Sequence, residues 1–327
     1  MSEPPPAMSE PPPAMSEPAP LRLGLIGCGR LAERGYAPAA AAVAGIDIVA
    51  VSDPDRARRG LLAKRTGASA HATIAALLAA GPLDGILVCS SPEHHEEAAV
   101  AVAAAGITAL IEKPPAPDAA GALRLVALAP APWIGFNRRF DQGLKLAGSV
   151  PAFGDLQLRL VLQYRRKSWR PIARGDDALL DLAPHLIDLA LMLTGAPPVA
   201  VRAQAERERA GIELATTRAR VRIECATNRP HRELVEVRDV VGHRVARAVR
   251  GGRVRGVANR LGPVKHPLVR SLARQLEAYA CALRGEDPGP LATAAEGAAT
   301  MCVLDAARRS DALGGETMPV EGVTVQA

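Results

Sequence analysis

The stretch Leu179-Leu180-Asp181-Leu182-Ala183-Pro184-His185-Leu186-Ile187-Asp188-Leu189 sets three polar side chains among Leu, Ile, Ala and Pro. On a helix, offsets of four and then three place Asp181, His185 and Asp188 on one face. Burying an Asp or His is costly unless it is paired, so this face either hydrogen-bonds internally or opens on a cleft. Asp181 also suits a helix N-cap, with Pro184 tolerated in the first turn. An imidazole titrates near neutrality, which fits His185 for proton transfer. A further candidate is Lys113, in Ile111-Glu112-Lys113-Pro114 at the end of an apolar run.

Gly27-Cys28-Gly29-Arg30-Leu31-Ala32 fits the pattern G-x-G-x-x-G/A. The first glycine permits a tight turn, the second lets a pyrophosphate approach backbone N–H groups, and Ala32 keeps a helix close to its sheet. Asp53 ends the next apolar run, where a carboxylate meets a ribose diol. Together these predict dinucleotide binding. Asp53 repels a 2′-phosphate and favours NAD, while Arg56, Arg58 and Arg59 leave NADP open. His94-His95-Glu96-Glu97 holds metal-ligating residue types, but adjacent positions on a helix do not face one another. They read as a helix start, and no metal is expected.

The elements that must position these residues alternate. Leu21 to Ile26, Ile46 to Ser52, Gly85 to Cys89, Thr108 to Ile111 and Pro132 to Gly135 read as strands. Arg30 to Ala44, Asp53 to Thr66, Glu93 to Ala105 and Asp118 to Ala127 read as helices between them, the second opening on Asp-Pro. This rhythm predicts right-handed βαβ units and a parallel sheet, with Lys113 at the strand end where open α/β sheets bind ligands. After Phe140 the pattern changes to strands at 153–164, 199–206, 217–227, 233–240 and 243–249. Ala219, Val221, Ile223 and Cys225 alternate strictly with charged residues, the mark of a half-exposed antiparallel sheet. Helices over 267–284 and 293–309 carry apolar residues at helical spacing and read as core. The expected fold class is α/β, an N-terminal Rossmann doubly wound parallel sheet plus a C-terminal α+β domain with a largely antiparallel open sheet. Its divisions are a disordered repeat tail over 1–20, a dinucleotide-binding domain over 21–138 and a substrate-binding and oligomerisation domain over 139–327. The tail repeats MSEPPPA, each unit beginning with Met, which makes Met8 or Met15 an alternative translation start.

The chain has 327 residues, 48% of them hydrophobic and 23% charged, enough for two cores and too apolar for a disordered chain. Five cysteines lie far apart without a C-x-x-C pair, which fits reduced thiols better than a disulfide framework or a zinc site. No apolar run reaches the roughly 18 residues of a membrane span, and the expected location is the cytoplasm. The net charge of +6 reflects arginines clustered between Arg229 and Arg260, in no recognisable nucleic-acid fold. No nucleic-acid or membrane partner is therefore expected.

Several motifs in order resemble the glucose-fructose oxidoreductase / inositol dehydrogenase / MocA family. They are the glycine turn, Ser90-Ser91-Pro92 with His95, Glu112-Lys113-Pro114, Gly135-Phe136-Asn137-Arg138-Arg139-Phe140, and Asp181-x-x-x-His185-x-x-Asp188. The match runs from Leu21 to about Arg309. The resemblance implies a catalytic group of Lys113, Asp181 and His185. His185 would take a hydroxyl proton as hydride leaves the same carbon, Asp181 would orient the imidazole, and Lys113 would donate to the oxygen. It further implies cofactor contacts from Gly27, Cys28, Gly29, Arg30, Leu31, Asp53, Ser90, Ser91, Pro92, His95, Glu112 and Lys113, and substrate contacts from Asn137, Arg138 and Asp188. Where the family commonly has glycines around the Asp, this chain has Asp176, Asp177 and Ala183, so the resemblance implies the catalytic group but not the family's pocket shape.

The implied activity is an NAD(P)-dependent oxidoreductase acting on a ring hydroxyl or keto group of a sugar, cyclitol or nucleotide sugar. Two alternatives stand beside it: an NAD-using enzyme without net redox change, and a nonenzymatic nucleotide-sensing regulator. A homodimer or homotetramer is expected, on the reading that the second sheet leaves one apolar face open. Only 2% of the chain is aromatic, yet Trp133, Phe136, Phe140, Phe153, Tyr164 and Trp169 fall together. Tyr164 and Trp169 are expected to line the substrate cleft, with Phe136 and Phe140 packing the domain junction.

Overall fold

The structure, a computed structural model, describes residues 19–141, 150, 154–165, 177–251 and 266–323. The repeat tail up to residue 18, Phe153, Trp169 and Asp176 lie outside the described residues.

The chain opens with β1 (Leu21–Ile26), then a π-helical turn (Ala32–Tyr36) running into α1 (Ala37–Ala40). β2 (Ile46–Ser52), α2 (Arg56–Thr66), β3 (Ser69–His71), α3 (Ile74–Leu78) and β4 (Gly85–Val88) follow. A 3₁₀ turn (Pro92–His94) leads into α4 (His95–Ala104), β5 (Thr108–Glu112), α5 (Ala119–Val126) and β6 (Trp133–Gly135). The parallel order β3-β2-β1-β4-β5-β6 is the doubly wound one, with its crossover between β1 and β4. β4 is buried along its whole length, and both flanking faces carry helices, which is why these strands read as continuous apolar runs. Asp55, rather than Asp53, caps α2, accepting from the N–H groups of Ala57 and Arg58. Asp53 is thereby left out of the helix.

A 3₁₀ turn (Asn137–Phe140) leads toward the second unit: β7 (Leu156–Arg165), α6 (Ala178–Asp181), α7 (Ala183–Thr194), and β8 (Pro198–Glu206) to β12 through β9 (Arg209–Thr216), β10 (Ala219–Ala226), β11 (Asn228–Asp239) and β12 (Arg244–Gly251). α8 (Pro267–Leu283), β13 (Ala292–Thr293), α9 (Ala294–Ala312) and β14 (Met318–Pro319) end the described chain. The second sheet has the order β12-β11-β7-β10-β9-β8-β14, antiparallel except for the β7/β10 pair. Its inward residues, Leu158, Leu160, Ile212, Val221, Ile223 and Val237 among them, bury against α7 and α9. The outward face is charged instead of apolar, with Arg159, Glu213, Arg220, Arg222 and Arg238 lining a shallow groove of about 780 Å³. Among the described residues the expected open apolar face is absent, because the helices have taken the apolar side and left the alternating Arg and Glu to solvent.

After the second sheet the chain returns to the first. β13 pairs antiparallel with β6, and α8 buries Leu272, Leu276 and Tyr279 in one core with Leu23, Leu25, Tyr36 and Ile48. Phe140 joins that core, while Phe136 packs in the core on the other side of the sheet.

Candidate active site

Gly27 follows β1 with φ of +91°, and a Cβ there would stand 2.5 Å from the Ser90 backbone nitrogen. Only glycine lets the turn lie this close to the loop after β4. At Gly29 a Cβ would meet nothing within 4 Å, so the space over the turn is open. The Asp53 carboxylate closes one side: Oδ2 accepts the Cys28 N–H at 2.8 Å and Oδ1 the Asp55 N–H at 2.8 Å. A carboxylate has about four lone-pair sites, so acceptor capacity remains for a ribose diol. Arg59 stays close, its guanidinium donating to the carbonyls of Asp53 and Pro54 at 3.2 and 3.0 Å. The Ser90 hydroxyl is buried without a hydrogen-bond partner among the described residues. An open glycine turn, a carboxylate with spare lone pairs and an unpaired buried hydroxyl fit a dinucleotide.

His95, fully buried at the start of α4, ties two loops together. Nδ1 lies 3.0 Å from the Pro114 carbonyl and Nε2 2.9 Å from the Ser90 carbonyl. Both partners are acceptors, so the neutral ring can donate to only one at a time. Burial holds its pKa below the usual value, against the pull of the two carbonyls.

From the loop after β5, Lys113 Nζ donates to the Asp181 backbone carbonyl at the end of α6 at 2.9 Å and lies 3.4 Å from Asp181 Oδ1. Tyr164 donates its hydroxyl to Asp181 Oδ2 at 2.5 Å. Tyr164 continues the inward parity of Leu158, Leu160 and Leu162 on β7, which aims it at this point. α6 ends at Asp181, Leu182 interrupts the helix, and α7 starts at Ala183 with Pro184 in its first turn, so His185 sits in that turn too. Asp177, not Asp181, is the N-cap of α6. His185 is buried, and its Nδ1 has no partner among the described residues. Burial, then the charges of Lys113 and Arg138, hold its pKa well below the ordinary 6.5, so the ring is neutral at pH 7.

The N-terminal segment matches the family model described as "Oxidoreductase family, NAD-binding Rossmann fold" over residues 21–131. The "GFO/IDH/MocA C-terminal domain" matches over 156–236. The chain belongs to the Gfo/Idh/MocA oxidoreductase family. It is 33% identical over 195 residues to inositol 2-dehydrogenase 2 of Saccharopolyspora erythraea, covering 57% of this chain and 58% of that one. It is also 33% identical over 192 residues to the rhizopine catabolism protein MocA of Rhizobium meliloti, covering 55% and 59%. The alignments thus span less than two thirds of these curated relatives. Among solved structures, the fold matches myo-inositol dehydrogenase from Lactobacillus casei in complex with NAD(H) and myo-inositol, at TM-score 0.79, 17% identity and coverage of 94% and 98%. It also matches a myo-inositol dehydrogenase from Corynebacterium glutamicum at TM-score 0.76, 20% identity and coverage of 93% and 99%.

In this family member the structure brings Lys113, Asp181, His185 and Tyr164 together around the cleft. Two expected roles change. Asp181 meets Lys113 and Tyr164, while His185 Nδ1 has no hydrogen-bond partner among the described residues, so the expected Asp181–Nδ1 bond is not made. Asp188, expected to contact substrate, is 1% exposed and forks onto Arg139, with Nε to Oδ2 at 3.0 Å and Nη2 to Oδ1 at 2.6 Å. His185 and Asp188 remain three apart on α7, and the buried Asp188 carboxylate is taken up by its Arg139 partner. Asn137 is buried and donates to Ser271 Oγ at 3.1 Å, anchoring the turn to α8. Arg138 pairs with Glu233, which also meets His231 at 3.1 Å and Arg250 at 3.7 Å. Burial opposes the charge on Glu233, but Arg138, His231 and Arg250 outweigh it and take the carboxyl down to about 2.

Glu233, Arg139, Tyr36 and Gln275 were not among the expected site residues. Glu233 had a signal: it shares the parity of Val235 and Val237, so an acid was due on the inward face of β11.

Proposed function

We propose that this chain is an NAD-dependent dehydrogenase that exchanges hydride with a ring CH–OH of a polyol, a cyclitol or sugar. The observation that carries this reading is the Lys113–Asp181 contact made across the cleft beside the neutral, buried His185. Bound NAD supplies the hydride acceptor. His185, uncharged at pH 7, takes the hydroxyl proton. Lys113 has three N–H donors and uses two on Asp181, so the third can meet the substrate oxygen as charge builds there. Tyr164 and Lys113 together fix Asp181, and through its carbonyl the ammonium is held in place. The curated relatives named as inositol 2-dehydrogenases support a cyclitol as the first substrate to try.

Asp53 supports NAD over NADP, with Arg59 as the nearby cation that a 2′-phosphate would use. The reading includes a homo-oligomer joined across the charged outward face of the second sheet, where Arg and Glu alternate, and a cytoplasmic location. Among the described residues no helix is long and apolar enough to cross a membrane. Mass by light scattering tests the oligomer, and a strictly monomeric value contradicts it.

The test of activity is the near-ultraviolet absorbance of reduced nicotinamide with NAD and a panel of cyclitols and sugars. Net reduction supports the dehydrogenase. Product without net reduction favours the redox-neutral alternative, and NAD binding without turnover of any kind favours the regulator.

A further inference from the structure

We infer that Tyr36 and Gln275 are positioning residues for Lys113, acting through the buried carboxylate of Glu112; the inference rests on the dehydrogenase reading above. Glu112 is 6% exposed and directly precedes Lys113. Its Oε1 accepts the Tyr36 hydroxyl at 2.6 Å, and its Oε2 accepts the Lys113 backbone N–H at 3.1 Å. Gln275 Nε2 in turn donates to Tyr36 Oη at 2.9 Å. A chain of hydrogen bonds therefore runs from α8 through the first helix to the peptide that launches the Lys113 side chain.

The packing is built to hold this chain. Gly35 has no Cβ, and one placed there would stand 2.8 Å from Leu272 of α8, so the first helix and α8 touch at this point. Tyr36 closes the π-helical turn, and Gln275 lies one turn beyond Leu272, which brings the two side chains together. On the other side, a Cβ at Gly135 of β6 would come within 3.2 Å of Glu112 Oε1, so a side chain there would press on the carboxylate. Burial raises the Glu112 carboxyl, while Tyr36 and Lys113 pull it back toward the charged form. A carboxylate in such a place keeps one orientation only while its oxygens are bonded. Because Lys113 N–H binds the side chain of its own neighbour, fixing that carboxylate fixes the peptide plane. The Lys113 ammonium then arrives at the Asp181 carbonyl.

The experiment compares wild type, Tyr36→Phe and Gln275→Met. Reductive methylation of lysines is followed by peptide mass spectrometry, with exposed Lys64 as the internal reference. Turnover with NAD and a polyol, NAD affinity and thermal unfolding are measured in parallel. The expected result is faster labelling of Lys113 relative to Lys64 in both variants, more so in Tyr36→Phe. In the same variants kcat falls on the order of tenfold, the rate equivalent of one lost hydrogen bond, with NAD affinity unchanged. Wild-type labelling of Lys113 in folded Tyr36→Phe overturns the inference, as does a loss of NAD affinity that parallels kcat. If Tyr36→Phe does not fold, Gln275→Met gives the same decision. If wild type reduces no NAD with any polyol, the dehydrogenase reading fails, while the Lys113 labelling still decides whether Tyr36 and Gln275 position that lysine.

Discussion

Lys113, at the end of β5 in the first sheet, donates its ammonium to the backbone carbonyl of Asp181, the last residue of α6 beside the second sheet, at 2.9 Å. The two residues are 68 apart in sequence. This contact ties the cofactor-binding unit to the helix pair that carries His185. It also places a cation next to an imidazole whose work requires it to be neutral.

A pH prediction follows from that cation and from Arg138. Burial first, and then both charges, push the His185 pKa down, so the acid limb of kcat/KM is expected below the ordinary 6.5. Replacing Arg138 by Gln removes one of the two charges. The His185 pKa then rises, the ring protonates at higher pH, and the acid limb moves up. A pH profile of kcat/KM for wild type and Arg138→Gln checks this, and a limb that stays put or moves down speaks against His185 as the base.

Stability depends on the buried fork between Arg139 and Asp188. Arg139 joins the turn after β6 to α7, and it also reaches Glu296 of α9 at 3.0 Å. Asp188→Ala leaves a 3% exposed guanidinium short of its main partner. Removing one member of a buried pair costs about 3–5 kcal/mol. Urea unfolding of Asp188→Ala is expected to lose stability in that range, and a change below about 1 kcal/mol, the scale of an exposed pair, contradicts the assignment.

Cofactor choice turns on Asp53. Asp53→Ser removes the charge that repels a 2′-phosphate and leaves Arg59 at the same rim. The ratio of kcat/KM for NADP over NAD is expected to rise at least about tenfold, equivalent to roughly 1.4 kcal/mol. Steady-state kinetics with both cofactors measures it. An unchanged ratio removes Asp53 from the specificity argument.

Much of this architecture was legible in the residues. β1 and β2 were readable to their ends because glycine and Asp-Pro punctuate buried runs. β3 and α3 were not, since Ser69–His71 is a short, largely exposed edge strand and Ile74–Leu78 is barely one turn. The sites divide the same way. Lys113, His185 and Tyr164 stand out by type and position within their elements. The partners of Asp188 and Glu112 do not, because Arg139 lies 49 residues from Asp188, Tyr36 76 residues from Glu112, and Gln275 239 residues from Tyr36. Local spacing put Asp188 near His185 on α7, and a distant arginine gave its carboxylate another task.

The central claim is that His185 takes the proton while hydride passes from a ring carbon to NAD. It is tested most directly by the rate of NAD reduction with myo-inositol and related cyclitols in wild type and His185→Ala. Substrate-dependent reduction by wild type is expected, with a loss of about 10²–10⁴-fold in kcat for the variant and NAD still bound. Turnover by His185→Ala at the wild-type rate contradicts it.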